Sequence, residues 1–295
     1  MRTICQTSQK QLLLVKLLTL ALIIVLLVGC AGISAEGRTK TAQHIAANAQ
    51  LQERQITAEP FILTVFERTD KPGAPATIYI EGDGLAWLSR QEPSLNPTPN
   101  DPLALRLAAE DPGDNVIYMA RPCQFSGLSN VSAICPKEYW TSQRLSPEEL
   151  QSDNVALDAI KVRYRLTGFN LVGYSGGGGV AALLAGMRGD VLSLRTVAGN
   201  LDPVLFSQLH RISKPAADTL SPLSVAAKTA HIPQQHFVGG KDAIVSLDIV
   251  QSFRRAVGTS YCVRTTKIEN ASHNEGWVNV WRELLRAPLD CKSSP

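Results

Sequence analysis

One run constrains this chain more than any other: Leu171-Val-Gly-Tyr-Ser-Gly-Gly-Gly-Gly-Val-Ala-Ala-Leu-Leu-Ala-Gly186. Apolar residues lead into one serine, Ser175, then into four glycines and a small-residue stretch. The passage reads as a buried strand that enters a helix through a very tight turn. Two explanations of the glycines stand side by side. They let the helix pack closely on a sheet, or they let Ser175 stand at the turn as a nucleophile.

The flanking pattern supplies the sheet. Phe61 to Phe66, Ala76 to Ile80, Asn115 to Ala120, Phe169 to Tyr174, Val191 to Val197, Gln235 to Val238 and Val263 to Ile268 read as strands. Between them, Leu103 to Ala109, Ser146 to about Arg165, Gly177 to Met187, Leu247 to Val257 and Gly276 to Leu285 read as helices. Ser146-Pro-Glu-Glu149 supplies a capping serine, a first-turn proline and early acids. Alternation of this kind predicts an α/β fold with a mainly parallel sheet covered by helices. The Pro-rich segment 201–230 interrupts the alternation and reads as a small cap. At 295 residues, with 44% hydrophobic and 19% charged side chains, the chain suits one globular domain.

The N-terminus has a different character. Arg2, Lys10 and Lys16 precede Leu17 to Val28, an uncharged and mostly aliphatic run of 12 residues. A membrane span needs about 20 such residues, so the run reads as the apolar region of a secretion signal. It ends Leu27-Val-Gly-Cys30, which resembles a bacterial lipobox. That resemblance implies removal of 1–29, acylation of Cys30 and a lipid anchor in the cell envelope. Ala31 after the cysteine favours the outer membrane in a cell with two membranes. Residues 30–58 are polar and read as a tether with a short helix around Lys40 to Arg54, followed by the folded domain over 59–295. From Cys30 onward 26 basic residues face 26 acidic ones, which gives no reason to expect nucleic acid.

Export sets the reading of the cysteines. Cys123, Cys135, Cys262 and Cys291 remain after Cys5 and Cys30 are set aside, an even number in an oxidising compartment. Neighbours pair most simply, Cys123 with Cys135 and Cys262 with Cys291, with free buried thiols as the alternative. No Cys-x-x-Cys or His-x-x-x-His spacing suggests a metal site.

Gly173-Tyr-Ser-Gly-Gly177 fits Gly-x-Ser-x-Gly, with Gly173 and Gly177 as the small flanks of a nucleophile elbow. A serine needs a base to take its proton and an acid to orient that base. Asp242, after Gly239-Gly-Lys, and His273, after Asn270-Ala-Ser, follow strands in the order this chemistry uses. Asp202 is the second candidate for the acid. His210, His231, His236 and His44 are weaker candidates for the base. An oxyanion hole needs two backbone N–H groups, and Gly176 and Asp83, in Glu81-Gly-Asp-Gly84, are positioned for it. The carboxylates of Glu81 and Asp83 must then point away or be paired, with Arg90 or Arg121 as partners.

Together Tyr79-Ile-Glu-Gly-Asp-Gly84, Ala120-Arg-Pro-Cys-Gln124, Tyr174-Ser-Gly-Gly-Gly178, Val197-Ala-Gly-Asn-Leu-Asp202 and His273 before Gly276-Trp277 resemble exported bacterial α/β-hydrolases. The resemblance runs from about residue 40 to the end. It implies an α/β-hydrolase fold and a Ser175–His273–Asp242 triad that needs no cofactor, and it says little about substrate. The expected function is cleavage of a carboxylic ester, of a small molecule or a lipid, through an acyl-enzyme. Thioester or amide cleavage by the same residues, and a non-catalytic binding protein on this scaffold, are the alternatives.

Overall fold

The computed structural model describes residues 34–127 and 135–291. The signal segment and Cys30 lie outside the described residues. Helix α1, Ala35–Asn48, opens the fold, and the Ser34 side chain accepts from Gly37 N–H to cap it. After three intervening residues comes strand β1, Gln52–Ala58. The helix expected around Lys40 to Arg54 thus starts earlier and stops at Asn48. The sheet begins at Gln52 and not at Phe61.

The remaining order is β2 Phe61–Thr69, β3 Ala76–Ile80, α2 Leu103–Glu110, β4 Asn115–Met119, α3 Pro147–Tyr164, β5 Phe169–Tyr174 and α4 Gly176–Met187. It ends with β6 Val191–Val197, α5 Pro203–His210, β7 Gln234–Gly239, α6 Leu247–Val257, β8 Val263–Ile268 and α7 Val278–Arg286. The eight strands lie in the order β1-β2-β4-β3-β5-β6-β7-β8. β2 runs antiparallel to β1 and β4, and the pairs from β4 to β8 are parallel. Such a sheet needs helices on both faces.

Two apolar clusters provide them. On one face Leu157 and Ile160 of α3, Val180 to Ala185 of α4 and Phe253 of α6 cover Ile78, Leu171 and Leu194. On the other, Ala42 and Ala46 of α1, Leu103 to Ala108 of α2 and Trp281 of α7 cover Tyr79, Tyr118, Val172 and Phe237. Of the segment 201–230, α5 stands at the edge, while Val225 and Ala226 are buried in the first cluster. Part of the expected cap is therefore core. Cys123 is bonded to Cys135 and Cys262 to Cys291, the pairing expected from sequence neighbours. Among the described residues no helix is long and apolar enough to cross a membrane.

Trp281 shows how α7 is locked down. It is fully buried, and its indole N–H donates to Tyr79 Oη (3.0 Å), whose hydroxyl donates to Asp111 Oδ2 (2.7 Å). Trp281→Ala removes this packing and leaves the tyrosine oxygen short of a donor. It is expected to cost about 3–5 kcal/mol, read from urea denaturation under non-reducing conditions.

Candidate active site

Three sequence-distant residues meet at the carboxyl ends of the parallel strands, where open α/β sheets place their sites. Ser175 directly follows β5, Asp242 follows β7 and His273 follows β8. His273 Nε2 lies 3.0 Å from Ser175 Oγ, and His273 Nδ1 lies 3.0 Å from Asp242 Oδ2. The structure thus joins Ser175, His273 and Asp242 in one hydrogen-bonded line.

Ser175 occupies φ 50°, ψ −120°, a region that side-chain-bearing residues rarely enter. The sharp turn presses its neighbours together. A Cβ at Gly173 would overlap the Gly177 carbonyl, and one at Gly177 would overlap the carbonyls of Ile80 and Glu81. These glycines are required by close approach, as a nucleophile elbow demands. Gly176 opens α4, so its N–H has no acceptor within the helix.

The acid is held as firmly. Asp242 Oδ1 accepts from the N–H groups of Ile244 (2.8 Å) and Val245 (2.9 Å), leaving Oδ2 for the imidazole. Burial works to raise its pKa. The hydrogen bond and charge of His273, together with the two N–H groups, outweigh that and hold it below the ordinary aspartate value. Asp202 does other work. It caps α5 through Leu205 N–H (3.0 Å) and accepts from the Ser252 hydroxyl (2.6 Å). His236 lies inside β7, hydrogen-bonded to Thr196 Oγ1 (2.9 Å), and burial with the nearby Arg254 lowers its pKa to about 3. His210 bonds the Ile244 carbonyl (2.7 Å).

Residues that sequence reasoning passed over hold the histidine loop. Tyr174 Oη donates to Asn274 Oδ1 (2.6 Å), and its ring lies 5.4 Å from the His273 ring. The Trp277 indole N–H reaches the carbonyls of Ser272 (2.8 Å) and His273 (3.2 Å). Tyr174 lies inside the Gly-x-Ser-x-Gly motif, which was the available signal. Nothing in the sequence singled out Asn274.

The loop after β3 crosses the elbow closely. A Cβ on Gly82 would lie 3.2 Å from Ser175 Cβ, and one on Gly176 would overlap Asp83 Oδ1. The Asp83 carboxylate is therefore beside Gly176. It lies 3.4 Å from Arg121 Nη1 and 3.4 Å from Arg144 Nη1. Arg144 takes the place proposed for Arg90, which is exposed at the tip of the same loop. Arg121 also donates to Glu149 Oε2 (2.9 Å) and to the Arg144 carbonyl. These residues, with Tyr139 and Trp140, line a cavity of ≈ 10 Å³, room for about one water.

Beneath this cluster lie acids that burial disfavours as anions. Burial pushes Glu81 up to about 7, against the Gly82 N–H that bonds it. It pushes Glu149 to about 8 and Asp153 to about 7, each opposed by Arg121. A protonated Glu81 adds little repulsion to negative charge forming beside Ser175.

The chain matches no protein-family model and no curated protein sequence. Its similarity is to solved structures. An esterase from Pyrococcus furiosus superposes with TM-score 0.57 at 12% identity, over 81% of this chain and 90% of that one. An acylaminoacyl peptidase from Pyrococcus horikoshii gives 0.56 at 12% identity, over 76% of this chain and 37% of that one. A membrane phospholipase A described as a bacterial virulence factor gives 0.54 at 15% identity, over 91% and 97%.

Asp153 offers a test of the buried charges. Neither of its carboxylate oxygens has a hydrogen-bond partner among the described residues. Its folded pKa, about 7, lies above the ordinary aspartate value, so folding takes up a proton between the two. Its contribution therefore turns against folding as pH rises from about 4 toward 7. Asp153→Asn is expected to gain on the native protein across that window, by at most about 1.4 kcal/mol per pH unit. Urea midpoints at pH 5 and pH 8 check the sign: the gain is larger at pH 8.

With these neighbours, this strand order and the elbow after β5, the chain has the α/β-hydrolase fold.

Proposed function

We propose that the protein is a serine hydrolase that cleaves a carboxylic ester through an acyl-enzyme on Ser175. The observation that carries this reading is the continuous hydrogen-bonded line from Ser175 Oγ through His273 to Asp242, set on a strained turn. His273 Nε2 takes the serine proton as Oγ attacks the ester carbonyl, then gives it to the departing alcohol. Asp242 keeps Nδ1 protonated and stabilises the imidazolium that forms. The N–H groups of Gly176 and Asp83 receive the oxyanion. Water, activated by the same imidazole, then attacks the acyl carbon and releases the acid. Nucleophile, base and acid are all side chains, so the chemistry asks for no cofactor.

In this reading the protein works at the cell envelope. The N-terminal apolar run followed by Cys30 supports a lipid anchor, in the outer membrane if the cell has two. Two disulfides suit an oxidising compartment. Amide cleavage is the second reading, favoured by the likeness to a peptidase. The same groups would serve, with the proton from His273 going to an amine.

Ser175→Ala is expected to abolish labelling by a fluorophosphonate and to lower p-nitrophenyl acetate hydrolysis by about 10⁴-fold or more, with stability changed by no more than about 1 kcal/mol. Wild-type hydrolysis by that variant would refute Ser175 as the nucleophile, and native protein that neither labels nor hydrolyses would leave a binding protein on this scaffold. Asp242→Asn should lower turnover by about 10⁴-fold, and Asp202→Asn far less. The opposite ranking would move the acid to Asp202. A matched pair of p-nitrophenyl ester and p-nitroanilide distinguishes ester from amide cleavage.

A further inference from the structure

Three apolar side chains stand in water on the loop that carries Asp83. Trp87 is 42%, Leu88 55% and Leu95 58% exposed. The loop is braced. Leu88 N–H donates to the Glu92 carbonyl (2.8 Å) and Ser94 N–H to the Ala86 carbonyl (3.0 Å), while Trp87 and Pro93 form an antiparallel bridge. Its base is tied down by Leu85 N–H on the Pro97 carbonyl (3.0 Å) and by the Trp140 indole on the Ser94 carbonyl (3.1 Å). Single exposed leucines are ordinary. A tryptophan beside leucines, held outward on a braced tip, has the chemistry of a membrane interface, where the ring is half in hydrocarbon and half in headgroups.

A second observation says which surface covers it. One turn into α1, Arg38 donates to the carbonyl of Asn96 (3.2 Å), the residue after Leu95. The start of the described chain therefore lies beside this loop. Cys30 precedes Ser34 by four residues, a reach of at most about 14 Å when fully extended. An acylated Cys30 would keep α1 and the loop that close to the leaflet. Trp87 is also four residues from Asp83, within the same reach of the Ser175 site.

We infer that Trp87, Leu88 and Leu95 enter the lipid leaflet that holds the Cys30 acyl chains, and so set the mouth of the Ser175 site against the bilayer. This rests on the reading of Cys30 as acylated and of Ser175 as the nucleophile. It deepens that reading by naming a substrate class: an ester of a membrane lipid, presented from the leaflet and not dissolved in water.

The test uses the full acylated protein reconstituted in phosphatidylcholine/phosphatidylglycerol vesicles with brominated acyl chains. Trp140, Trp277 and Trp281 are buried, so Trp87 is the indole that lipid bromine can reach. Native protein is expected to be quenched and Trp87→Tyr to lose that quenching. Absence of quenching in the native protein overturns the inference, as does concentration-dependent dimerisation that shields Trp87 without lipid. Trp87→Ser combined with Leu88→Ser and Leu95→Ser is expected to hydrolyse a vesicle-borne lipid ester about tenfold more slowly. Its rate on p-nitrophenyl acetate in water should stay unchanged, and equal loss on both substrates would assign the loop to the site's own architecture. If that variant fails to fold, Leu88→Glu alone should give the same split. Two controls isolate the underlying readings. Alkyne fatty-acid incorporation that is lost in Cys30→Ser tests the anchor, and fluorophosphonate labelling of Ser175 tests the nucleophile. Either can fail while bromine quenching of Trp87 succeeds.

Discussion

Ser175 sits at a backbone conformation that costs on the order of 1–3 kcal/mol, and the rest of the structure has to hold it there. Three hydrogen bonds do so. Ser175 N–H donates to the Val197 carbonyl (3.0 Å), and its own carbonyl accepts from Gly178 N–H (3.0 Å) and Asn200 N–H (2.8 Å). Two of these partners come from the end of β6, so the strain at the elbow is held by the neighbouring strand. β7 extends this support, because Ala198 N–H donates to the Phe237 carbonyl (3.0 Å), two residues before Gly239. Lys241 N–H then donates to the Ala271 carbonyl (2.9 Å). The backbone segments bearing Ser175, Asp242 and His273 are thereby linked below the level at which their side chains meet.

The same compression explains the electrostatics. A loop that crosses the elbow closely brings Asp83 against Gly176, where a carboxylate opposes any negative charge forming beside the serine. Arg121 and Arg144 flank it on both sides. Arg121 is itself buried and could not be left unpaired without heavy cost, so Glu149 and Asp153 lie close enough to balance it. The cluster contains more carboxylates than cations. Burial answers the excess by favouring the protonated forms of Glu149, Asp153 and Glu81.

How much of this was legible follows from what each element buries. Strands β3 to β7 were readable because they are covered on both faces or nearly so and their apolar runs stand out, while β8, an edge strand, was readable from its β-branched Val, Thr and Ile residues. β1 was not. As an edge strand with the pattern Gln-Glu-Arg-Gln-Ile-Thr-Ala, it pairs through its backbone while its side chains face water, and Arg54 even spends its charge on Glu67 of the next strand (2.6 Å). Composition alone reads such a segment as tether. Prolines surround Val225 and Ala226 and make the segment read as cap, yet both are buried on α4. A Cβ at Gly186 would overlap Val225, so a helix glycine and a loop valine fit each other across 39 residues of sequence. Such a fit leaves no local signal. At the site, Ser175, Asp242 and His273 were found because chain order and strand ends restrict where they can be. Arg144 was not found, since its pairing with Asp83 depends on the path of a loop that no periodicity describes.

The division between legible and illegible parts is also the division between reaction and selectivity. Groups that make and break bonds must project from strand ends, so they inherit the regularity of the sheet. The segments between, here the hairpin around Trp87 and the Arg121–Arg144 cluster, follow no such regularity. Solved structures with the same sheet include an esterase, a peptidase and a phospholipase, which is what that separation entails. In this chain the loop that brings Asp83 to the elbow also carries Trp87, so one short segment bears on both the reacting atoms and the surface from which a substrate would come.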